Sequence, residues 1–341
     1  MDKHFIPSIQ VAAVYIGTVV GAGFATGKEI VEFFTRYGFY GILGILLAGW
    51  LFCYCGVKIM IISKRIGAKS YQDFNLYLFG KPLGSVINFL MIFILLGVTS
   101  VMLSGAGAVF EEQLHLPKQL GIGITMALGL FVMINGVKGV YGVNIFVVPM
   151  LVLFSMIVAV QAFSPQSIFL TGEGPTYHWI VSAFSYGAFN LAMAQAVLVP
   201  LASEIDEEAS LKTGGIIGGI VLTIILLGSH FALSSLPTVM LDEIPMASVI
   251  KNSYITIYFV YVCVIYGEIF TSVIGNLYGL ERQLSQLLKL KSSFIIGTIL
   301  LISYFISQLG YGHLISILYP FYGYLSLGFL VLLLVKKYPL P

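Results

Sequence analysis

From Ser85 to Phe110 the chain runs for 26 residues without an Asp, Glu, Lys or Arg. A hydrocarbon core about 30 Å thick takes roughly 20 helical residues to cross, so a run of this kind belongs in a bilayer or at the centre of a large helical bundle. It is one of ten apolar windows, near residues 8 to 35, 38 to 62, 85 to 110, 119 to 135, 140 to 163, 177 to 200, 211 to 236, 250 to 276, 293 to 309 and 313 to 335. Charged residues make up 9% of the chain, against roughly 25% in a soluble domain. That scarcity decides for the bilayer, and the chain reads as an all-α membrane protein with ten transmembrane helices.

The basic residues give an orientation. With the N-terminus in the cytoplasm, 13 of the 17 Lys and Arg fall in inner segments, and Lys28, Arg36, Lys118 and Lys251 fall outside. The excess of cations inside predicts that both termini are cytoplasmic. The acidic run Glu204, Asp206, Glu207 and Glu208 lies in an inner loop, where acids count little. A net charge of +2 spread over many loops forms no basic patch, so nucleic acid is not an expected partner. Cys53, Cys55 and Cys263 suit neither a metal site nor a disulfide framework and read as small core residues. Lys3 and the apolar stretch up to Ala22-Gly23 have the outline of a signal peptide, but the apolar pattern runs on, so the segment is expected to stay as the first helix.

Gly17, Gly21, Gly23 and Gly27 fall within eleven residues of that first span. Each glycine costs a helix about 1 kcal/mol relative to alanine, which makes unwinding cheap. Unwound backbone is tolerated at membrane depth only where protein or a polar cavity surrounds it. The ten windows also divide into two sets of five, residues 1–163 and 164–341. An odd number of spans per set makes the second set enter from the opposite side, the inverted-repeat arrangement of many secondary transporters. The sixth span, counterpart of the first, contains Phe184-Ser-Tyr-Gly-Ala-Phe-Asn190, and Ser185, Gly187 and Asn190 predict a second break there. The loop from 64 to 84 is expected to hold a short interfacial helix. The sequence has no Walker loop, metal-ligand cluster or nucleophile elbow, which argues against an enzyme.

This layout resembles that of the amino acid, polyamine and organocation transporters that share the LeuT fold. The run Gly21-Ala-Gly-Phe-Ala-Thr-Gly-Lys-Glu29, with Phe33-Phe34 and Tyr37-Gly38 after it, is similar to the bacterial YkvI-like membrane proteins. The fold resemblance implies a LeuT-like five-plus-five inverted repeat with broken helices one and six. It also implies a sodium site between carbonyls of the first helix and hydroxyls of the eighth. Aligned on Gly21-Ala-Gly23, the ligands are the carbonyls of Gly17, Val20 and Glu268 and the hydroxyls of Thr271 and Ser272. In the alternative reading the two hydroxyls simply bond back to the preceding turn.

Glu268, Thr271, Ser272 and Gly275 share one helical face. Glu268 is therefore either an ion ligand, a proton carrier or a structural acid bonded to a neighbouring helix. His230 is a relay candidate or a hydrogen-bonded structural histidine. For the substrate, amides near Gly21, Ala22 and Gly23 suit a carboxylate, and carbonyls around Phe184 to Tyr186 suit an ammonium. Phe24, Phe184, Tyr186 and Phe189 either cover an apolar side chain or pack the core. Asn190 and Gln195 line the cavity or join helices, and Ser104 stands for the third span, which lacks a tyrosine. Lys28 and Glu29, with Glu32 and Arg36, form an outer gate toward Asp242 or Glu243, or a solvated helix end.

The reading is a secondary transporter of a small amine or amino acid in the cell membrane, a bacterial inner membrane by its resemblance. It is driven by sodium, requires no cofactor, and has membrane lipid as its other expected partner. A ligand-sensing subunit like those of spore germinant receptors and a proton-coupled exporter are the alternatives.

Overall fold

The computed structural model describes residues 5–134, 177–235, 242–250, 255–288 and 290–340, together with 143, 147, 149, 150, 153, 154 and 157. The fifth expected span, 140 to 163, falls mostly outside the described residues, as do residues 164 to 176. Among the described residues regular structure is entirely helical. Among the described residues six helices are long and apolar enough to cross a membrane, and three shorter apolar ones, Ile6–Val19, Lys118–Ile134 and Ser292–Ser307, accompany them.

The first span is built in three pieces, α1 (Phe5–Val19), α2 (Ala22–Thr26) and α3 (Lys28–Phe33). Then come α4 (Phe39–Ile66), α5 (Tyr71–Phe79), α6 (Lys81–Ala108), which continues into a π-helical turn at Val109–Gln113, and α7 (Lys118–Ile134). The second half holds α8 (His178–Glu204), α9 (Glu208–Ser234), α10 (Pro245–Ile250), α11 (Ile255–Leu288), α12 (Ser292–Ser307) and α13 (Tyr311–Val335). The helix expected in the loop after α4 is α5, entered by a capping box between Ser70 and Asp73 that satisfies amides at its start.

Small residues decide which helices meet. On α9, Gly214 and Gly218 lie against Val11 and Tyr15 of α1, while Gly215 and Gly219 lie against Val57, Met60 and Cys53 of α4. Two interleaved glycine pairs, each four residues apart, thus give α9 two flat faces on which backbones approach closely. The Tyr15 ring fills the joint, and its hydroxyl donates to the Phe52 carbonyl at 2.9 Å. The result is one packed group of α1, α4, α8 and α9 and a second of α6, α7, α11 and α12, with α13 touching α8 and α6. The broken segment α2 packs against the second group, on α11 and α6.

One expectation is corrected. The sixth span is not broken at Phe184 to Asn190: α8 is a continuous helix from His178 to Glu204. Gly187 serves packing there, since a Cβ on it would stand 2.7 Å from Leu51 Cδ1. Asn190 also stays within the helix, its amide donating to the Tyr186 carbonyl one turn earlier at 3.1 Å. A single glycine with good tertiary contacts does not unwind a helix.

Candidate substrate and ion site at the broken first helix

Two joints interrupt the first span. At the first, Gly21 takes an extended conformation (φ −105°, ψ −174°). The backbone bonds flanking it run from Val20 N to the Ile16 carbonyl at 2.8 Å and from Ala25 N to the Gly21 carbonyl at 2.9 Å. Among the described residues no backbone amide donates to the carbonyls of Gly17 or Val20, which leaves both lone-pair sets available. The second joint is Gly27, whose φ of 81° is left-handed and closes one helix while opening the next. A Cβ there would lie 3.1 Å from Leu233 Cδ2 and 3.3 Å from Met246 Cβ.

The structure brings the first joint to α11. A Cβ on Gly21 would stand 3.7 Å from Ser272 Oγ, and Tyr261 of the same helix donates its hydroxyl to the Ala25 carbonyl at 3.1 Å. Thr271 is buried and donates to the Glu268 carbonyl at 2.9 Å, so its own proton is spent within the helix. Its oxygen lone pairs are not. Glu268 is 2% exposed, and its Oε2 is buried without a hydrogen-bond partner. Ser272 thus sets an oxygen beside the first joint, and Glu268 and Thr271 lie on the same helix within one turn of it.

The substrate-binding candidates divide. Gly23, Tyr186, Phe189 and Asn190 converge on the broken segment. Asn190 Nδ2 donates to Glu29 Oε1 at 3.2 Å, and the Phe189 ring lies 4.9 Å from that of Tyr319. Tyr186 is fully buried among Phe33, Phe34 and Phe52, with ring centroids 5.3, 4.8 and 5.9 Å away. Phe24 is buried and Phe184 half-buried against the core. Ser185 faces Gly323 of α13, a Cβ on which would stand 2.7 Å from the serine Cβ. Ser104 and Gln195 are buried with side-chain polar atoms unpartnered. The side chain of Ala22 lies outside the described residues.

His230 is 2% exposed and its Nδ1 lies 3.2 Å from Thr35 Oγ1, the structural alternative stated for it. The two gate candidates separate. Lys28 reaches the loop before α10, donating to the Asp242 carbonyl at 2.7 Å. Glu29 turns the other way, toward Gly23 and Asn190.

Sequence reasoning missed the tyrosines of α13. Tyr311 donates to or accepts from Thr26 Oγ1 at 2.7 Å, Tyr319 lies beside Gly23, and Tyr322 stacks near Phe189 at 6.1 Å. Their spacing of eight and three residues sets all three on one helical stripe. Gly97 and Gly105 of α6 leave room for Tyr322 and Tyr311 respectively. A tyrosine stripe in one span matched by glycines eight apart in another was a readable signal.

No family model matches the chain. Its backbone is similar to that of Mhp1, a nucleobase-cation-symport-1 family transporter solved in a closed conformation with bromovinylhydantoin bound. That likeness has a TM-score of 0.59 and 10% identity, covering 87% of this chain and 70% of that one. It is also similar to MhsT in complex with L-phenylalanine, with a TM-score of 0.63 and 14% identity over 92% of this chain and 80% of that one. These likenesses establish the LeuT fold expected from the sequence. Among curated proteins the chain is 26% identical to the uncharacterized protein YyaD of Bacillus subtilis (strain 168), over 95% of each. It is 54% identical, over 99% of each chain, to the uncharacterized membrane protein YkvI of the same organism. With the fold, the broken first helix and that identity in agreement, the chain belongs to the YkvI family of membrane proteins.

Proposed function

We propose that this protein is a secondary transporter, not an enzyme, that carries a small amine or amino acid across the cell membrane by alternating access, coupled to sodium. Ten spans in two inverted sets, 1–163 and 164–341, with both termini cytoplasmic, complete the reading. The observation that carries it is the first joint, where Gly21 comes beside Ser272 of a continuous helix and, among the described residues, the neighbouring carbonyls of Gly17 and Val20 accept no backbone hydrogen bond. Unwound carbonyls next to side-chain oxygens are how discontinuous membrane helices hold a coupling cation. Glu268, Thr271 and Ser272 supply the remaining oxygens. Substrate sits on the other side of α2, among Gly23, Tyr186, Phe189 and Asn190. The fold neighbours support the reading by analogy, since Mhp1 is named a transporter and MhsT is seen with an amino acid.

The test is uptake and counterflow in proteoliposomes containing the purified full chain, with a panel of amino acids and amines, in sodium and in choline. Concentrative uptake that requires a sodium gradient is the expected result. The ion site then predicts that sodium tightens substrate binding and substrate tightens sodium binding by one common factor, typically about 5- to 150-fold. Equal substrate affinity in sodium and choline refutes the coupling. Binding without any counterflow refutes transport and leaves the sensor.

A further inference from the structure

The space beside Gly23 is filled from within the chain. A Cβ on this glycine would overlap Glu29 Oε2 and stand 3.1 Å from Tyr319 Cε2. The missing side chain is what lets a carboxylate and an aromatic ring reach the broken segment together. Glu29 arrives there because the left-handed turn at Gly27 redirects the chain two residues earlier.

Glu29 is 5% exposed. Its hydrogen bond is from Asn190 at 3.2 Å, and among the described residues it makes no ion pair with a Lys, Arg or His. One neutral amide is poor compensation for a carboxylate taken out of water. What surrounds it is aromatic instead. Tyr186, Tyr311 and Tyr319 are all buried: Tyr319 meets Gly23 beside Glu29 Oε2, Tyr311 bonds Thr26 of the same segment at 2.7 Å, and the Tyr186 carbonyl accepts from Asn190 at 3.1 Å. The Tyr186 hydroxyl is buried without a partner. Phe189 extends the aromatic wall against Tyr319.

A carboxylate beside buried aromatic rings is complementary to a cation, because the ring face and the acid attract the same sign of charge. It is a poor neighbour for a zwitterion. An amino acid's carboxylate, sent to the unwound amides of the first span, would meet the Glu29 carboxylate at Gly23, and like charges placed together disfavour binding strongly. We propose that Glu29 is the counter-ion for a positively charged amine that lacks a carboxylate, so that the transported substrate is an organic cation and not an amino acid. The inference rests on the transport reading of this site. It assigns Asn190 to orienting the carboxylate and the tyrosines of α8 and α13 to covering the cation.

Amines and their parent amino acids test it, since each pair differs only by the carboxylate: phenethylamine with phenylalanine, putrescine with ornithine, agmatine with arginine. Calorimetric titration of the purified full chain is expected to show, for at least one pair, the amine binding tighter on the order of 10-fold or more. Glu29→Gln is expected to erase that preference and Glu29→Asp to retain part of it. If in every pair that binds the amino acid binds as tightly as its amine, the assignment is overturned while the transport reading stands. An amine that binds the wild type and Glu29→Gln equally also overturns it. If no member of the panel binds, both readings fall. The wild-type comparison decides the matter even where a variant does not fold.

Discussion

Thr26 of α2 and Tyr311 of α13 share a 2.7 Å hydrogen bond between buried hydroxyls. Thr26 also donates to the Gly23 carbonyl at 3.1 Å and accepts from the Lys28 amide at 3.4 Å. Tyr311 therefore donates to Thr26, and one threonine ties both ends of the five-residue α2 to a helix 285 positions away in sequence.

Removing either partner should not cost the same. Tyr311→Phe leaves Thr26 with its other bonds and is expected to cost about 1 kcal/mol, whereas Thr26→Val strands the Tyr311 hydroxyl in the core and should cost roughly 1 to 3 kcal/mol. Thermal unfolding of the two variants in one detergent checks the order. Equal stabilities would mean that the bond does not hold α2.

The glycines of the first span should differ sharply. A methyl on Gly21 meets only ordinary contact at 3.7 Å from Ser272, whereas one on Gly23 displaces the Glu29 carboxylate. Gly21→Ala is expected to fold and to bind substrate near wild-type level. Gly23→Ala is expected to fold as well, because the displaced group is the end of a flexible side chain, but to lose at least about 10-fold in affinity, the effect of one misplaced charge. Titration of both variants with the best ligand found decides it, and unchanged affinity in Gly23→Ala would remove this segment from the site.

At Gly27 the cost should appear in stability. The left-handed φ of 81° costs a non-glycine residue about 1 to 2 kcal/mol, and close contacts with Leu233 and Met246 add to it. Gly27→Ala is expected to lower the unfolding temperature more than Gly21→Ala does. The reverse order would show that the turn relaxes without its glycine.

Glu268→Gln is expected to change how transport depends on pH while altering stability little, since the amide keeps the shape of a side chain whose Oε2 has no partner to lose. A carboxyl that exchanges protons during the cycle leaves its titration in the rate, and a glutamine cannot. Superimposable pH profiles for counterflow would assign Glu268 to ion coordination or structure alone.

The parts of this architecture that were legible follow from local energetics. Apolar runs had to be helices, and Gly21 within a glycine-rich span had to be a weak point, as the break before α2 demonstrates. The integrity of α8 was hidden because Gly187 looks the same in sequence whether it breaks a helix or admits Leu51. In sequence Glu29 groups with Glu32 and Arg36 as an outer gate or a solvated helix end. In the structure Arg36 pairs with Glu32 at 2.6 Å, α3 stops at Phe33, and the turn at Gly27 sends Glu29 inward. Periodicity fixes which residues share a face but not where the helix axis points, so the left-handed turn at Gly27 re-aimed α3 and with it Glu29.

Two joints in one span have a mechanical consequence. The helical repeat is interrupted at Gly21 and again at Gly27, and the hydroxyls of Tyr261 and Tyr311 anchor α2 to α11 and α13. Each joint absorbs rotation of the segment beyond it. α1 can then tilt without dragging α3, and α3 can tilt without dragging α1, as two doors hung on separate hinges from one fixed post.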